Sequence, residues 1–395
     1  MPANKPPFDG EWVRLKGRVE YVRGVTYKAA VDLHEELDRG SYILLRANNI
    51  QDGRLSFDDV QYVDKSKVKP KQLLRKGDIL ICASSGSKSL VGKAALVEND
   101  MPITFGAFCC VLRPKTGESE CLGHYFQSRQ YRKAIERACS GSNINNLKAA
   151  SFESLIVPLY SKTDMLSVVG VLDALVAQKR GTESQLELLD TLVKSRFVEM
   201  FGGSGWPVAT VGSLATDIRY GTSKKASDSG QFVYLRMNNM TDGGGLDFDD
   251  VKYIDLDGSE LDKCLVVDGD LLFNRTNSRE KVGKTAVFHE KEPMVIAGYI
   301  IRVRLGDRIR PDFLAAYMNL PTTKAMLRSI ARGAVHQANI NSKELSAIEV
   351  PVPPICLQDS FLAFVAEVDK SRFIVQQKIE KLQTLYDSLA QKYFG

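Results

Sequence analysis

The sequence predicts an α+β fold: two tandem copies of one mixed α/β domain, joined by two long helices in an antiparallel coiled coil. Three observations carry that prediction. Short motifs recur in the same order at an offset of about 190 to 197 residues. Each copy closes on a long stretch with apolar residues spaced alternately by three and four. Between these lie short β-branched runs bounded by Gly and Asp turns. The expected boundaries are 1–160 for the first domain, 161–203 for the first helix, 204–355 for the second domain and 356–395 for the second helix.

The repeat is read from six matches. Trp12 and Trp206, the only tryptophans, stand near the two starts. Arg46-Ala47-Asn48-Asn49-Ile50 is answered by Arg236-Met237-Asn238-Asn239-Met240. Leu55-x-Phe57-Asp58-Asp59-Val60 is answered by Leu246-x-Phe248-Asp249-Asp250-Val251. Gly77-Asp78-Ile79-Leu80 and Val91-Gly92-Lys93 return as Gly269-Asp270-Leu271-Leu272 and Val282-Gly283-Lys284. Phe201-Gly202 and Phe394-Gly395 close the copies. A period near half the chain excludes a solenoid and indicates a duplicated domain.

Within each copy the strands are expected at Ser41–Leu45, Ile79–Ile81 and Cys109–Leu112, and at Phe232–Leu235, Leu271–Phe273 and Tyr299–Val303. Tyr125 to Ala138 and Pro311 to Ile330 read as helices, and Val157-Pro158 and Val350-Pro351 mark the exits. The first long stripe runs Met165, Val168, Leu172, Leu175, Lys179, Thr182, Leu186, Leu189, Val193, Arg196, Met200. The second runs Gln358, Phe361, Val365, Val368, Arg372, Val375, Ile379, Leu382, Tyr386, Leu389, Tyr393. Five heptads at 1.5 Å per residue make each helix roughly 55 Å long. The basic breaks Lys179 and Arg372 match, which favours the helices packing on each other over two separate surface helices.

The 395 residues carry a net charge of +5, and all of the excess lies in the first half. Residues 1–202 hold 29 basic and 24 acidic groups; residues 203–395 hold 24 of each. No apolar run approaches a membrane span. The seven cysteines lack a Cys-x-x-Cys pair and read as reduced thiols of a cytoplasmic protein. His34, His124, His289 and His336 show no metal-ligand spacing. Ser278 to Thr285 ends like a phosphate-binding loop, but a Ser stands where the leading Gly is needed, and the first copy ends in Ala94. Lys5-Pro6-Pro7-Phe8 has Lys in place of the Asn or Asp that an amino-methyltransferase motif requires. No catalytic group pairs with a second one in both copies, so the chain is read as non-catalytic and metal-free.

What recurs instead is polar and basic chemistry at turns. The loop after the Gly-Asp strand is Ser84-Ser85-Gly86-Ser87-Lys88 in one copy and Arg275-Thr276-Asn277-Ser278-Arg279-Glu280-Lys281 in the other. A second pair precedes the exit: Ser142-Asn143-Ile144-Asn145 through Lys148, and Arg332 through His336-Gln337 to Asn341. A third is Gly24 to Lys28 and Gly221 to Lys224-Lys225. Hydroxyls, amides and guanidinium groups suit phosphates and base edges. Plain solvated loops and helix caps at Asn145 and Asn341 would use the same residue types. Lys65, Lys67, Lys69 and Lys71 read as a solvated face.

With these residues the chain resembles the specificity subunit of type I restriction–modification systems. The carrying motifs are Leu45 to Ile50, Gly77 to Leu80 through Val91-Gly92-Lys93, Ile144-Asn145 and the two long helices, and they cover essentially the whole chain. The resemblance implies two target-recognition domains, each reading one half of an asymmetric bipartite site in double-stranded DNA. It implies two modification subunits that methylate adenine at N6, and restriction subunits beside them. S-adenosylmethionine, ATP and magnesium would belong to those partners, with no cofactor on this chain. The candidate DNA contacts are then Lys28, Arg46, Asn48, Ser84, Ser85, Ser87, Lys88, Lys93, Ser142, Asn143 and Lys148 in the first copy. In the second they are Lys224, Lys225, Arg236, Asn238, Arg275, Thr276, Asn277, Ser278, Arg279, Lys281, Lys284, Arg332, His336 and Gln337. Leu188, Leu192, Phe201, Leu385 and Phe394 are the expected subunit-docking residues.

The antiparallel rod is expected to act as a ruler for the spacer between half-sites. The low charge predicts weak DNA binding by the free subunit, and a first half-site more dependent on phosphate contacts than the second. Two other readings stay open at this point: a recognition subunit of another methyltransferase architecture, and a coiled-coil scaffold without a nucleic-acid role.

Overall fold

The computed structural model describes residues 10–87, 89–115, 117–139, 146–203, 205–334 and 337–395. Two compact units result. One comprises the chain up to Thr182 together with Gln377–Gly395; the other comprises Glu183–Gln376. Each therefore contains one mixed α/β domain and half of each long helix.

In the first unit, Gly10–Arg14 runs antiparallel to Ile156–Tyr160, with Trp12 opposite Pro158. This ribbon ties the start of the copy to its exit. One four-stranded sheet has the order Val19–Arg23, Cys109–Pro114, Ile79–Cys82, Ala94–Leu96, all antiparallel. A second has the order Ile103–Phe105, Ser41–Leu45, Gln61–Asp64, Leu33–His34, with its first pair parallel. Ile79, Leu80, Ile81 and Cys82 are all buried because apolar clusters cover both faces of that strand.

The second unit repeats this plan. Val208–Thr210 pairs with Glu349–Pro351. Ala215–Tyr220, Ile300–Leu305, Leu271–Asn274 and Thr285–Val287 form the antiparallel sheet. Lys252–Ile254, Phe232–Leu235, Met294–Ile296 and Leu265–Val266 form the other. The copies differ at this sheet's edges: Leu33–His34 adds to one side in the first, Leu265–Val266 to the other side in the second. A three-stranded sheet of Thr276–Asn277, Gln337–Asn339 and Arg332–Ala334 belongs to the second copy.

Two expected helices are each split. Tyr125 to Ala138 becomes Ser119–Tyr125 and Arg129–Cys139. Ser128 accepts from the Tyr131 amide and starts the second piece as an N-cap. Pro311 to Ile330 becomes Pro311–Met318 and Pro321–Ile330. Pro321 has no N–H to continue the first helix and holds Leu320 in extended geometry.

The long helices span Lys162–Phe201 and Ile355–Phe394. Within the first unit, Tyr160 donates to the Tyr393 carbonyl and Lys179 Nζ to Gln383 Oε1 at 2.7 Å, the order of an antiparallel pair. Within the second, Arg372 meets Asp190 at 2.7 Å and Phe201 packs on Phe361. Both basic breaks in the stripes are thus partnered across the helices. Asn341 caps its helix as expected, accepting from Glu344 N at 3.0 Å; Asn145 lies outside the described residues.

Among the described residues no helix is long and apolar enough to cross a membrane, and no cluster could hold a metal ion. The thiols of Cys82, Cys109, Cys110, Cys121 and Cys264 are free and buried; Cys356 is free and exposed.

Candidate nucleic-acid interface

The duplicated motifs are best understood first as scaffold. Asn49, 1% exposed, accepts from the Arg46 amide at 2.8 Å and donates to the carbonyls of Ser56 at 3.0 Å and Asp59 at 2.9 Å. Arg46 and Asn48 both reach the Asp59 carboxylate at 2.9 Å. The second copy repeats the set: Asn239 with Arg236, Asp247 and Asp250, and Arg236 and Asn238 on the Asp250 carboxylate. Arg46, Asn48, Arg236 and Asn238 were expected at the DNA. The structure gives these solvent-accessible side chains a second role, that of closing a loop onto a carboxylate. Asp59 and Asp250, missed as partners, were visible in the duplicated Phe-Asp-Asp-Val.

The Val-Gly-Lys motif has a similar explanation. Gly92 and Gly283 take φ of +84° and +82°, where a side chain is strained. A Cβ at either would also stand 2.7 Å from Ile135 or Leu327 on the covering helix. Lys284 is mostly buried and bonds Asp242 at 2.7 Å and the Met240 carbonyl at 3.0 Å. Its expected role as a free phosphate contact is corrected for that reason. Lys93, at the matching place, is exposed. Asp78 and Asp270 of the Gly-Asp turns are buried and ion-paired with Arg113 and Arg304.

The predicted loops do converge. In the first unit a cleft of about 730 Å³ is lined by Thr26, Tyr27, Arg46, Asn48, Ser84, Ser85, Gly86 and Phe108. Four segments far apart in sequence thus share one surface. Ser84 is also bridged to Asn146, beside the second polar segment. Lys28, Ser87 and Lys148 are exposed. Lys88, Ser142 and Asn143 lie outside the described residues.

In the second unit the same two loops are joined by strand pairing of Thr276–Asn277 with Gln337–Asn339. Arg275 Cζ lies over the Tyr220 ring, 4.8 Å from its centroid, and the guanidinium donates to Asn339 Oδ1 at 3.2 Å. Asn277 is turned toward Asn274, to which it donates at 3.0 Å, and its own oxygen accepts from the Ser278 amide. Thr276 is buried. Arg279 and Lys281 are exposed, although Arg279 also reaches the Ala331 carbonyl at 3.3 Å. Arg332 projects into solvent while paired with Glu344, and Gln337 is exposed. Lys224 pairs with Glu260 at 2.7 Å, a hydrogen bond that raises its pKa; Lys225 is exposed. His336 lies outside the described residues. Tyr220 as a platform for Arg275 was not foreseen; nothing in sequence spacing links positions 220 and 275.

Of the expected docking residues, Leu188, Leu192 and Leu385 are exposed. Phe201 and Phe394 are corrected: both are buried in apolar cores, Phe201 with Phe313 and Phe361, Phe394 against Tyr125.

Comparisons with known proteins agree with this organisation. Residues 9–180 match the type I restriction modification DNA specificity domain. The EcoKI specificity subunit of Escherichia coli (strain K12) is 29% identical over 100% of this chain and 90% of its own length. The StySPI specificity subunit of Salmonella potsdam is 28% identical over 94% of this chain and 84% of its own. A chain solved in work on complex assembly and conformational transition of the type I R-M system matches with TM-score 0.53 at 16% identity, covering 99% of both chains, and so shares the fold. The chain is thus similar to type I restriction–modification specificity subunits along its length, and its residues 9–180 match their DNA specificity domain.

Proposed function

We propose that the chain directs a modification and restriction complex to an asymmetric bipartite DNA site, each unit reading one half-site. The observation that supports this most is the pairing of one scaffold with two loop chemistries. The Asn49 and Asn239 networks match bond for bond. The polar loops of the two units carry Ser84, Ser85 and Ser87 in one and Arg275, Arg279 and Lys281 in the other. Hydroxyls accept or donate at any base, whereas Arg and Lys favour guanine. Conserved support with divergent tips is the design expected of two readers of unlike sequences.

The subunit itself is non-catalytic. Adenine-N6 methylation would fall to two modification subunits that carry S-adenosylmethionine, and cleavage to restriction subunits that carry ATP and magnesium. The exposed Leu188, Leu192 and Leu385 suit docking of the modification subunits. The complex would work in the cytoplasm, where its DNA is.

The test is methylome mapping in cells that express the modification subunits with and without this chain. One bipartite methyladenine motif should appear with the chain and vanish without it. An unchanged methylome would favour a scaffold without a nucleic-acid role.

A further inference from the structure

Phe108 and Tyr299 occupy equivalent places in the two units, each immediately before the central strand of the antiparallel sheet, Cys109–Pro114 or Ile300–Leu305. Both rings face solvent, 70% and 50% exposed. A single exposed apolar residue means little, but a large ring exposed at the same place twice is a shared feature. The main chain at both positions is hydrogen-bonded. The Phe108 carbonyl accepts from the amides of Ala83 at 2.9 Å and Ser84 at 3.0 Å. The Tyr299 carbonyl accepts from the Arg275 amide at 2.9 Å and from Asn274 Nδ2 at 3.2 Å. The backbone that carries each ring is thereby tied to the root of its own recognition loop. Phe108 also lines the cleft where Thr26, Tyr27, Asn48, Ser84 and Ser85 meet.

We propose that Phe108 and Tyr299 are specificity-determining residues that set their rings directly against base edges of their half-sites. This rests on the DNA-reading function proposed above. An exposed apolar ring among polar loop atoms meets one apolar feature on a base edge, the thymine methyl group in the major groove. Phe108 offers the methyl contact alone; Tyr299 adds a hydroxyl that can donate or accept. Neither residue follows from loop polarity, which searches for charge and hydrogen bonding.

The experiment uses the full-length chain assembled with its modification subunits. Wild type, Phe108→Ala and Tyr299→Ala complexes are expressed, and their methyladenine motifs are mapped. Phe108→Ala should lose base preference at one or two positions of one half-site and leave the other intact. Tyr299→Ala should do the mirror image. On the mapped duplex, replacing thymine by uracil at the affected position removes only the methyl group. Wild type should bind about tenfold more weakly there, and the alanine variant should show no further loss. Tyr299→Phe should keep the preference for thymine over uracil, and Phe108→Leu should keep part of it, with unchanged thermal unfolding in both. Alanine variants that keep the wild-type motif overturn the proposal. So do variants that weaken cognate and scrambled duplexes equally, or that merely lose their modification subunits. If wild type itself produces no motif, the DNA-reading function fails instead.

Discussion

Replacing Asn49 by Ala isolates the duplicated Arg-x-Asn-Asn motif as a structural element. The Asn49 amide group makes three bonds: 2.8 Å from the Arg46 amide, 3.0 Å to the Ser56 carbonyl and 2.9 Å to the Asp59 carbonyl. Its side chain is almost fully buried. The Asp59 carbonyl keeps a second donor, Arg46 Nη2 at 3.2 Å, so that loss is softened. The Arg46 amide and the Ser56 carbonyl lose a partner outright. At about 1–3 kcal/mol for each buried group left unsatisfied, and toward the lower end because both are half-buried, the loop loses about 2–4 kcal/mol. Asn239→Ala removes a matching set in the second unit and should cost the same. Hydrogen exchange at the Arg46 and Arg236 amides reads the effect locally, without requiring two-state unfolding. Exchange should accelerate by about 30- to 1,000-fold, tenfold for each 1.4 kcal/mol. An acceleration below about fivefold would refute the scaffold argument. So would a variant with unchanged exchange but an altered target sequence, because the motif would then be a reader.

Three further outcomes are expected. Gly92→Ala and Gly283→Ala should each destabilise their unit by about 2–4 kcal/mol, since positive φ and a 2.7 Å approach to Ile135 or Leu327 act together; urea unfolding measures it. Burial depresses the His124 pKa, and its pairing with Asp173 only partly offsets this, whereas at His289 the carboxylates of Asp312 and Asp268 outweigh burial and raise it. His124 therefore costs its unit stability as pH falls below the ordinary histidine value near 6.5, while the His289 contribution is full below that value and fades as pH rises through the raised one. Thermal unfolding from pH 5 to 8 should show the first slope vanish in His124→Gln and the second in His289→Gln. Lys93→Met should lower the slope of log affinity against log salt by about one in the assembled complex; Lys284→Met should leave that slope unchanged and instead destabilise the second unit, by losing its Asp242 and Met240 partners.

Local signals were readable where the physics is local. The duplication, the Gly-Asp turns that launch strands, the apolar stripes and the Asn341 cap all depend on residues a few positions apart. The split helices were readable in principle, because Pro321 and Ser128 carry their own backbone reasons. The site was only partly readable. The Ser84 and Arg275 loops were found as polar turns, and so were Gly24–Lys28 and its counterpart. Their neighbours were not: Arg275 lies on Tyr220, and Ser84 lies beside Asn146, through folding that brings distant segments together.

Sequence by itself determined that this chain is one domain used twice with a helix after each copy. A hydrophobic period and an ordered set of turns specify an element wherever it lies. Tertiary structure decided which intramolecular partners the polar residues meet. Arg46, Asn48 and Lys284 look like free cations and amides in the sequence, yet each is engaged by a carboxylate that folding delivers from 11 to 42 residues away. Phe108 and Tyr299 look like core residues, yet both rings stand in solvent. Residue type sets the chemistry a side chain can perform; burial and intramolecular partners, which are set by long-range packing, decide whether it is left to perform it.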